Sequence, residues 1–376
     1  MQIVLVILLL SALILIQLFV YRKFALSNLE AEICFSTSEA NCGDDVIISE
    51  SILNRKRLPL FMLILKFEAP RQLQFPDMTN TALSDLYYRE DLISLGGWKQ
   101  HIRHITVRCK KRGYYQFKRL SVSTSDPLLL SKITATYDCS SSLTVLPRLL
   151  NSPEIEALFI QSIGDTVSRL SLVRDPFSFS GIREYQPWDS FNKINWRASA
   201  RKGEMMVNTS HSTISQEVTI LLNVRKYSAN GKTELIEKAI SLAYSLALYC
   251  IRESLPISLI SNGKDSCTEY TINKPHGSSE NHGHQIGLDL ARIDLKKEPI
   301  PFEPLLKHAS NSPISGSIVI ISANYDSSMQ NELLALIHSG KKAVWVVPHS
   351  TGTAQPEIFP ALRPYVKIWE ERYDAV

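Results

Sequence analysis

The sequence predicts a multi-domain α+β protein with an N-terminal transmembrane helix, an antiparallel β-sandwich and then a C-terminal doubly wound α/β domain. Three observations predict this order. Residues 2–21 form an uncharged apolar run, short β-like runs dominate as far as residue 148, and strands alternate with helices from residue 217 onward. A chain of 376 residues with 44% apolar content can bury sizeable cores in more than one domain.

The N-terminal run predicts a transmembrane anchor over residues 1–23. Residues 2–21 carry no charge, and the hydrocarbon core of a bilayer requires a helix of about 20 apolar residues. A cleaved signal peptide is the alternative, but no Lys or Arg precedes the run and no small-x-small cleavage site precedes Tyr21. Arg22 and Lys23 follow directly. The positive-inside rule therefore predicts a single-pass protein of the cell membrane whose soluble domains lie in the cytoplasm.

Residues 30–148 predict an antiparallel β-sandwich domain, because short apolar runs are separated by turn residues and helix-length periodicity is largely missing. The predicted strands lie within residues 32–36, 44–53, 60–70, 98–109, 113–123 and 141–147. The stretch from residue 98 to residue 120 is rich in Lys and Arg. It is either a solvated strand face or a surface for anionic lipid head groups.

Residues 217–376 predict a mostly parallel, doubly wound sheet, because apolar strands alternate with helices. The predicted strands are 217–224, 256–260, 317–323 and 342–347, and the predicted helices are 232–254, 289–293 and 331–340. The polar stretch 267–285 is expected to be a loop. Asp326, Ser327 and Ser328 are expected to supply the N-cap of a helix that begins near Met329.

Residues 149–216 are predicted to be a linker between these two domains. Part of the linker mixes aromatic, charged and amide residues without a helical or strand period, so packing alone does not explain it. Three roles are open for this part of the linker: a clamp that orients the two domains, a partner-binding surface, or a catalytic centre. The residues that we assign to this candidate site are Gly181, Arg183, Glu184, Tyr185, Pro187, Asp189, Trp196, Ser199 and Arg201.

Each of these residue types suggests a physical role. Arg183 and Glu184 can form a charge-assisted pair, or the guanidinium can bind a partner carboxylate. Tyr185 and Trp196 are rigid aromatic anchors, either for the α/β core or for another protein. Asp189 follows a proline-set turn and can bind local backbone N–H groups. Because no His accompanies the serines in this window, the sequence offers no nucleophile and base pair, and we assign no catalytic residue.

The window resembles the signature of the "domain of unknown function 58" family of bacterial and archaeal membrane proteins. That signature has a Gly, then Arg-Glu-Tyr, then an Asp, then a Trp-x-Ala-x-Ala stretch with basic residues. Residues 110–130 and 143–149 resemble further marks of the family upstream. The resemblance implies a C-terminal domain similar to von Willebrand factor A domains.

Those domains bind a metal through an Asp-x-Ser-x-Ser loop after their first strand. The corresponding residues here are 223–227, which include Arg225 and Lys226 and no carboxylate. A divalent cation requires hard oxygen ligands, so we expect neither a metal nor any other cofactor in this domain.

The resemblance also implies a partnership with a MoxR-type AAA+ ATPase. No P-loop motif is present, so another chain would hydrolyse ATP. We expect a membrane-anchored, non-enzymatic accessory or scaffold protein that assists assembly or maturation of client proteins. A net charge of +4 gives no reason to expect a nucleic-acid partner. The alternative is a membrane-associated hydrolase with Asp189 or Glu184 as the general base and Arg183 as an anion clamp.

Overall fold

The computed structural model describes residues 2–75, 81–83, 86–150, 153, 155–163, 181–186, 194–209, 217–226, 233–311, 316–350 and 355–370. The chain divides into two compact units, Met1–Arg148 and Leu149–Val376. It is a mixed α/β protein with an apolar N-terminal helix and several antiparallel sheets, which confirms the predicted fold at that level.

Helix α1 (Gln2–Phe24) is long and apolar enough to cross a membrane, and its apolar window is not buried within the protein. Ser11 donates its hydroxyl to the Leu8 carbonyl at 2.8 Å, which satisfies a polar group in apolar surroundings. The end of the helix belongs to the first unit's core, because Tyr21 and Ala25 are buried there. The helix is therefore joined to the sandwich without a spacer.

Beyond α1, the first unit consists of β-sheets. In chain order its strands are β1 (Leu29–Phe35), β2 (Glu39–Asn41), β3 (Asp45–Asn54), β4 (Leu60–Pro70), β5 (Leu73–Gln74), β6 (Thr81–Leu83), β7 (Leu86–Leu95), β8 (Gln100–Cys109), β9 (Gly113–Gln116), β10 (Arg119–Ser125), β11 (Lys132–Asp138) and β12 (Ser142–Leu146). One antiparallel sheet has the order β1-β3-β8-β5 and another has the order β11-β10-β4-β7-β6. A third sheet, β2-β12-β9, pairs β2 and β12 in parallel.

The core of the first unit is formed by the alternate residues of these strands. Aromatic rings lie at its centre, where Phe35 stacks on Phe117 at 4.5 Å and Phe67 meets Phe117 edge-on at 5.6 Å. The run 113–123, predicted as one strand, is two strands. The chain leaves β9, which pairs with β12, and enters β10, which pairs with β4, so the apolar run serves two sheets.

The second unit contains the remaining elements. In chain order they are α2 (155–163), β13 (Gly181–Glu184), α3 (Trp196–Lys202), β14 (Met206–Thr209), β15 (Glu217–Asn223), α4 (Thr233–Arg252), β16 (Ile257–Lys264), β17 (Thr271–Gly277), α5 (Glu280–Ala291), α6 (Glu303–Asn311), β18 (Gly316–Ser322), α7 (Ser327–His338), β19 (Lys342–His349), a 3-10 helix (Pro360–Tyr365) and β20 (Val366–Glu370).

A six-stranded sheet organises this unit, with the order β17-β16-β15-β18-β19-β20. Each neighbouring pair is parallel except β16 with β17, which are antiparallel. Alternate residues of β15 enter different cores. Ile220 and Leu222 pack with α4 and α5, whereas Leu221 packs with α6 and α7. Helices therefore cover both faces of the sheet, as its continuous apolar strands require.

Two sequence predictions for the second unit need revision. The stretch 267–285 is not a loop, because it contains β17 and the first turns of α5. Ser279 caps α5 by accepting a hydrogen bond from the His282 N–H at 3.1 Å, and the His282 ring bonds the Ile257 carbonyl at 2.9 Å. Part of the predicted linker is helix α2, whose Phe159 ring lies 5.6 Å from that of Tyr249. Capping thus orders the stretch 267–285, whose polarity indicates a loop, and packing orders α2.

Candidate functional site

The signature segment, residues 181–209, is built on a pair of antiparallel strands. Strand β13 pairs with β14, with Gly181 opposite Thr209 and Glu184 opposite Met206. Helix α3 lies between these strands in the chain. Pro187 and Asp189, which were predicted as site residues, lie outside the described residues.

Backbone and capping hydrogen bonds hold this segment together. The Asn195 side chain accepts from the Ala198 N–H at 3.0 Å and so caps α3. The Ser199 hydroxyl donates to the Asn195 carbonyl and accepts from the Met206 N–H, both at 2.9 Å. Gly203 ends the helix in the left-handed conformation, φ 77°, and bonds the Ser199 carbonyl. Ser199 therefore ties α3 to β14.

Three large apolar side chains of the segment are exposed, whereas Ile194, Met206 and Val207 are buried. Trp196 is 67% exposed, and Ile182 and Met205 are also exposed. The clamp hypothesis requires Trp196 to be a buried anchor, whereas its side chain is exposed. An open groove of about 610 Å³ lies beside it, lined by Ile182, Asn195, Arg197, Ala198, Arg201, Lys202 and Met206. Arg201, predicted as a site residue, is thus one wall of a groove.

The charged residues of the signature are only partly paired with each other. Arg183 donates to the backbone carbonyl of Glu184 at 3.0 Å. The Glu184 carboxylate instead lies 3.7 Å from the ammonium group of Lys202, and both side chains are mostly exposed. Tyr185 is half-buried, and its N–H donates to the Met205 carbonyl at 2.8 Å. The sequence suggested the Arg183–Glu184 pair, whereas Lys202 was not predicted.

A second candidate site lies where β15, β16 and β18 end. We call it the amide cluster, and its buried residues are Asn223, Asn262, Ser322 and Asn324. Carboxyl ends of parallel strands meet at one edge of a sheet, and the sheet order reverses at β15 and β18, which is where open α/β sheets bind ligands. Asn262, Ser322 and Asn324 were not predicted as site residues. Their shared position at strand ends was the available signal.

Hydrogen bonds within the cluster satisfy these groups. Asn262 donates to Asn223 Oδ1 at 2.9 Å and to the Ile300 carbonyl at 2.9 Å, and it accepts from the Val224 N–H at 2.9 Å. Asn223 donates to Ser322 Oγ at 3.1 Å. The Trp345 indole N–H reaches the Ser322 carbonyl at 3.3 Å. The amides therefore lock the strand ends together.

The residues of this edge do not fit a divalent metal. Asn223 Oδ1 already accepts hydrogen bonds from Asn262 and from the Arg225 N–H. The Arg225 and Lys226 side chains add positive charge to the same loop. Within the described parts of the chain, no group of three or more His, Cys, Asp or Glu residues could hold a metal ion.

Two open grooves of about 700 and about 680 Å³ flank the amide cluster, and both are lined by Arg225 and Asp326. Arg225 lies 3.7 Å from Glu303, which accepts a hydrogen bond from Ser328 at 3.0 Å. The backbone N–H of Glu303 lowers the pKa of its carboxyl, partial burial opposes this, and the Ser328 hydroxyl and Arg225 lower it further. This edge of the sheet thus carries paired charges next to the neutral side chains of the amide cluster.

Asp326 occupies the predicted N-cap position, but helix α7 begins at Ser327 rather than near Met329. Its side chain does not cap the helix. The carboxylate instead accepts from the Asn324 side chain at 3.0 Å, and its N–H donates to Asn324 Oδ1 at 2.9 Å. Asp326 therefore joins the amide cluster to the groove wall.

Comparison with known proteins supports part of the family resemblance. Residues 181–346 match the family described as "Protein of unknown function DUF58". The chain is 20% identical over 247 residues to the "Uncharacterized protein YeaD" of Bacillus subtilis (strain 168), which covers 64% of this chain and 58% of that protein. This chain thus spans little more than half the length of that relative. Both the signature segment and the amide cluster lie within the matched range.

Solved structures match about a third of the chain. One is the CARDB domain of the PF1109 protein from Pyrococcus furiosus, with 11% identity over 31% of this chain and 91% of that chain, and a TM-score of 0.22. Another is a non-cellulosomal cohesin from Archaeoglobus fulgidus, with 12% identity over 34% of this chain and 97% of that chain, and a TM-score of 0.22. These TM-scores are too low to support a shared fold.

Proposed function

We propose that the protein is a membrane-anchored, non-enzymatic accessory or scaffold protein whose signature segment binds a MoxR-type AAA+ ATPase. One observation carries the proposal. The fold of the segment rests on backbone and capping bonds, while Trp196, Arg197 and Arg201 are exposed. Trp and Arg are the residue types that dominate binding energy at protein interfaces. The partner itself is inferred from the family resemblance.

The C-terminal fold is compatible with a docking role. Numbered from β15, the strand order of the six-stranded sheet is 3-2-1-4-5-6 with an antiparallel edge strand, and on this order we propose a von Willebrand factor A-like domain. At the strand ends, the amide cluster takes the place of metal ligands. Any partner that binds there does so without a metal bridge.

Helix α1 supports a membrane anchor, and Arg22 and Lys23 at its end favour a cytoplasmic location for both units. The hydrolase alternative has weaker support. A general base works best next to its substrate in a site that excludes water, whereas Glu184 is 66% exposed and is paired with Lys202. Asp189, the other candidate base, lies outside the described residues.

The test is formaldehyde crosslinking in the native cells, followed by purification of the full-length chain and mass spectrometry. We compare the natural chain with Trp196→Ala and with the control Tyr270→Ala. Tyr270 is the appropriate control because it is a 79% exposed aromatic residue of the same unit outside the signature segment. We expect Trp196→Ala to reduce recovery of the ATPase by about tenfold, since a central aromatic hot spot contributes roughly that much.

Tyr270→Ala should leave recovery unchanged. Equal recovery of the ATPase with the natural chain and with Trp196→Ala would rule out the signature segment as the docking surface. Failure to recover an AAA+ ATPase with the natural chain would overturn the choice of partner.

A further inference from the structure

The first unit's core begins where the apolar run ends. Residues 2–21 are uncharged, yet Tyr21 is buried in the sandwich and donates its hydroxyl to the Pro59 carbonyl at 3.0 Å. If α1 crosses a membrane, as proposed above, then Tyr21 lies near the head groups. The sandwich loops level with Tyr21 must then lie at the membrane surface.

The β10–β11 loop lies at this level. Thr124 and Asp126 are neighbours of the Tyr21 hydroxyl, and Ser125 pairs with Met62 near the start of β4. Beyond Asp126 the loop presents three consecutive leucines. Leu128 is 45% exposed, and Leu129 and Leu130 are each 64% exposed. A run of exposed leucines in water is unfavourable, and such clusters mark surfaces that bind an apolar partner.

Hydrogen bonds hold this leucine loop in a fixed shape. The buried Asp126 carboxylate accepts from the Leu128 N–H at 3.1 Å and from the backbone and hydroxyl of Ser131. Leu129 adopts a left-handed conformation, φ 58°, which is unusual for a leucine. The exposure of the leucines is therefore built into the loop.

A second loop, the β7–β8 turn that links the two antiparallel sheets, reaches the same rim. The N–H of Trp98, in the β7–β8 turn, donates to the Lys56 carbonyl at 3.1 Å, and Lys56 in turn donates to the Ser27 carbonyl at 2.7 Å, just beyond α1. Trp98 is 66% exposed. A Cβ at Gly97 would lie 2.4 Å from the Arg57 carbonyl, so glycine allows this close approach.

Residue types on the rim match the layers of a membrane surface. Exposed tryptophan favours the head-group region, and leucines favour the acyl-chain boundary. Arg22, Lys23, Arg55 and Arg57 are also exposed on these segments and can attract anionic lipids. These segments belong to the loops around α1, so the apolar and basic groups extend the surface of the helix.

We propose that this rim is a second membrane contact, in which Leu128, Leu129 and Leu130 insert into the leaflet that α1 enters at Tyr21 and Trp98 lies among the head groups. The partner is the lipid bilayer. This contact fixes the sandwich against the membrane instead of letting it pivot on a single helix. The inference rests on the proposed membrane anchor and is independent of which side of the membrane carries the sandwich.

The test uses the full-length protein in vesicles of phosphatidylethanolamine and phosphatidylglycerol in equal amounts, with a small share of lipid that carries a photoactivated diazirine in its acyl chain. Trypsin then releases three informative peptides. They are residues 1–22 from α1, residues 120–132 with the leucine loop, and residues 113–118, which contain β9 and precede the opposite end of β10. We expect lipid attachment to peptides 1–22 and 120–132 and not to 113–118.

Replacing all three leucines by Ser should reduce labelling of peptide 120–132 by about tenfold, because serine does not favour the acyl region. Carbenes insert into O–H bonds readily, so a loss of labelling reports depth rather than reactivity. The control Ile47→Ser changes an exposed apolar residue near the far end of β3 and should leave labelling of peptide 120–132 unchanged.

Labelling of peptide 1–22 without labelling of 120–132 would overturn the inference and leave the membrane anchor intact. No labelling of peptide 1–22 would overturn the anchor and, with it, this contact. Equal labelling of 113–118 and 120–132 would contradict a specific membrane-facing rim.

Discussion

The amide cluster and the signature segment are both polar parts of the second unit, but they use polarity in opposite ways. In the amide cluster, Asn262 is fully buried, and its donors and its acceptor are bonded to the ends of neighbouring chain segments. In the signature segment, Asn195 and Ser199 bond the local backbone while Trp196 is exposed. The buried amides of the amide cluster specify the fold, whereas the exposed groups of the signature segment are available to another molecule.

The contrast shows how two polar regions with different roles can be distinguished by experiment. A buried polar group must be paired, so its replacement costs folding free energy. An exposed aromatic contributes little to the stability of its own chain, so its replacement affects binding instead. Measurements of stability and of binding on matched variants can therefore distinguish the two regions.

The largest expected effect is on the amide cluster. Asn262→Leu would leave the Val224 N–H and the Ile300 carbonyl without their bonds to Asn262. It would also remove one of the two hydrogen bonds that Asn223 Oδ1 accepts. We expect the free energy of unfolding of the second unit to fall by about 3 kcal/mol. Urea unfolding of the detergent-solubilised protein measures this, with tryptophan fluorescence as the signal, to which the buried Trp345 and Trp369 of the second unit contribute.

Asn273→Leu is the matched control, since it makes the same chemical change at an exposed position on the edge strand β17. It should change the free energy of unfolding by about 0.5 kcal/mol at most. If both variants had equal stability, the amide cluster would not hold the strand ends together, and the contrast between the regions would fail.

A smaller effect is expected at the base of the signature segment. Ser199→Ala removes the acceptor of the Met206 N–H and the donor to the Asn195 carbonyl. We expect the local opening free energy to fall by about 1 kcal/mol, so that the Met206 amide exchanges its hydrogen roughly fivefold faster. Hydrogen exchange measured by mass spectrometry on short peptic peptides checks this.

Trp196→Ala, on the same helix, should leave the exchange rate of the Met206 amide within about twofold, because its side chain is exposed. If Trp196→Ala loosened the segment as much as Ser199→Ala, then the tryptophan would support the fold. Its exposure could then no longer be assigned to partner binding.

The sequence predicted those elements whose burial produces a clear apolar pattern. Strand β15 and helix α4 lie in the core of the second unit, and their apolar runs indicate both the element and its type. Strand β11 was missed although Ile133, Ala135 and Tyr137 alternate with polar residues, because these three residues are only half-buried at a sheet edge and form a weak apolar pattern. Strand β17 was missed because Ile272 is its one apolar residue, so no alternation is present, and polar residues at its end mask the N-cap of α5.

The candidate site was predictable only in part. Residue type indicated the importance of Trp196 and Arg201, but exposure decides between an anchor and a binding surface, and exposure depends on the tertiary fold. The amide cluster was harder to foresee. Asn223 and Asn262 are separated by 39 residues, and only the parallel pairing of β15 with β16 brings their side chains together.

The smallest expected effect is on stability and concerns Glu303, one of the charged residues around the neutral amide cluster. It tests the contrast between that cluster and the charges at the same edge of the sheet. The lowered pKa of Glu303 means that its carboxylate contributes stability above its ordinary pKa of 4.5 and loses it as the pH falls through the folded-state value. The stability of the natural chain relative to Glu303→Gln should thus be larger at pH 7 than below pH 4.5, by a few tenths of a kcal/mol. Paired urea unfolding curves at the two pH values measure this difference in stability.

The control Glu298→Gln, at an exposed position on the preceding loop, reports the general effect of removing a carboxylate. A Glu303→Gln difference that grows as the pH falls would contradict the assigned pairing with Ser328 and Arg225.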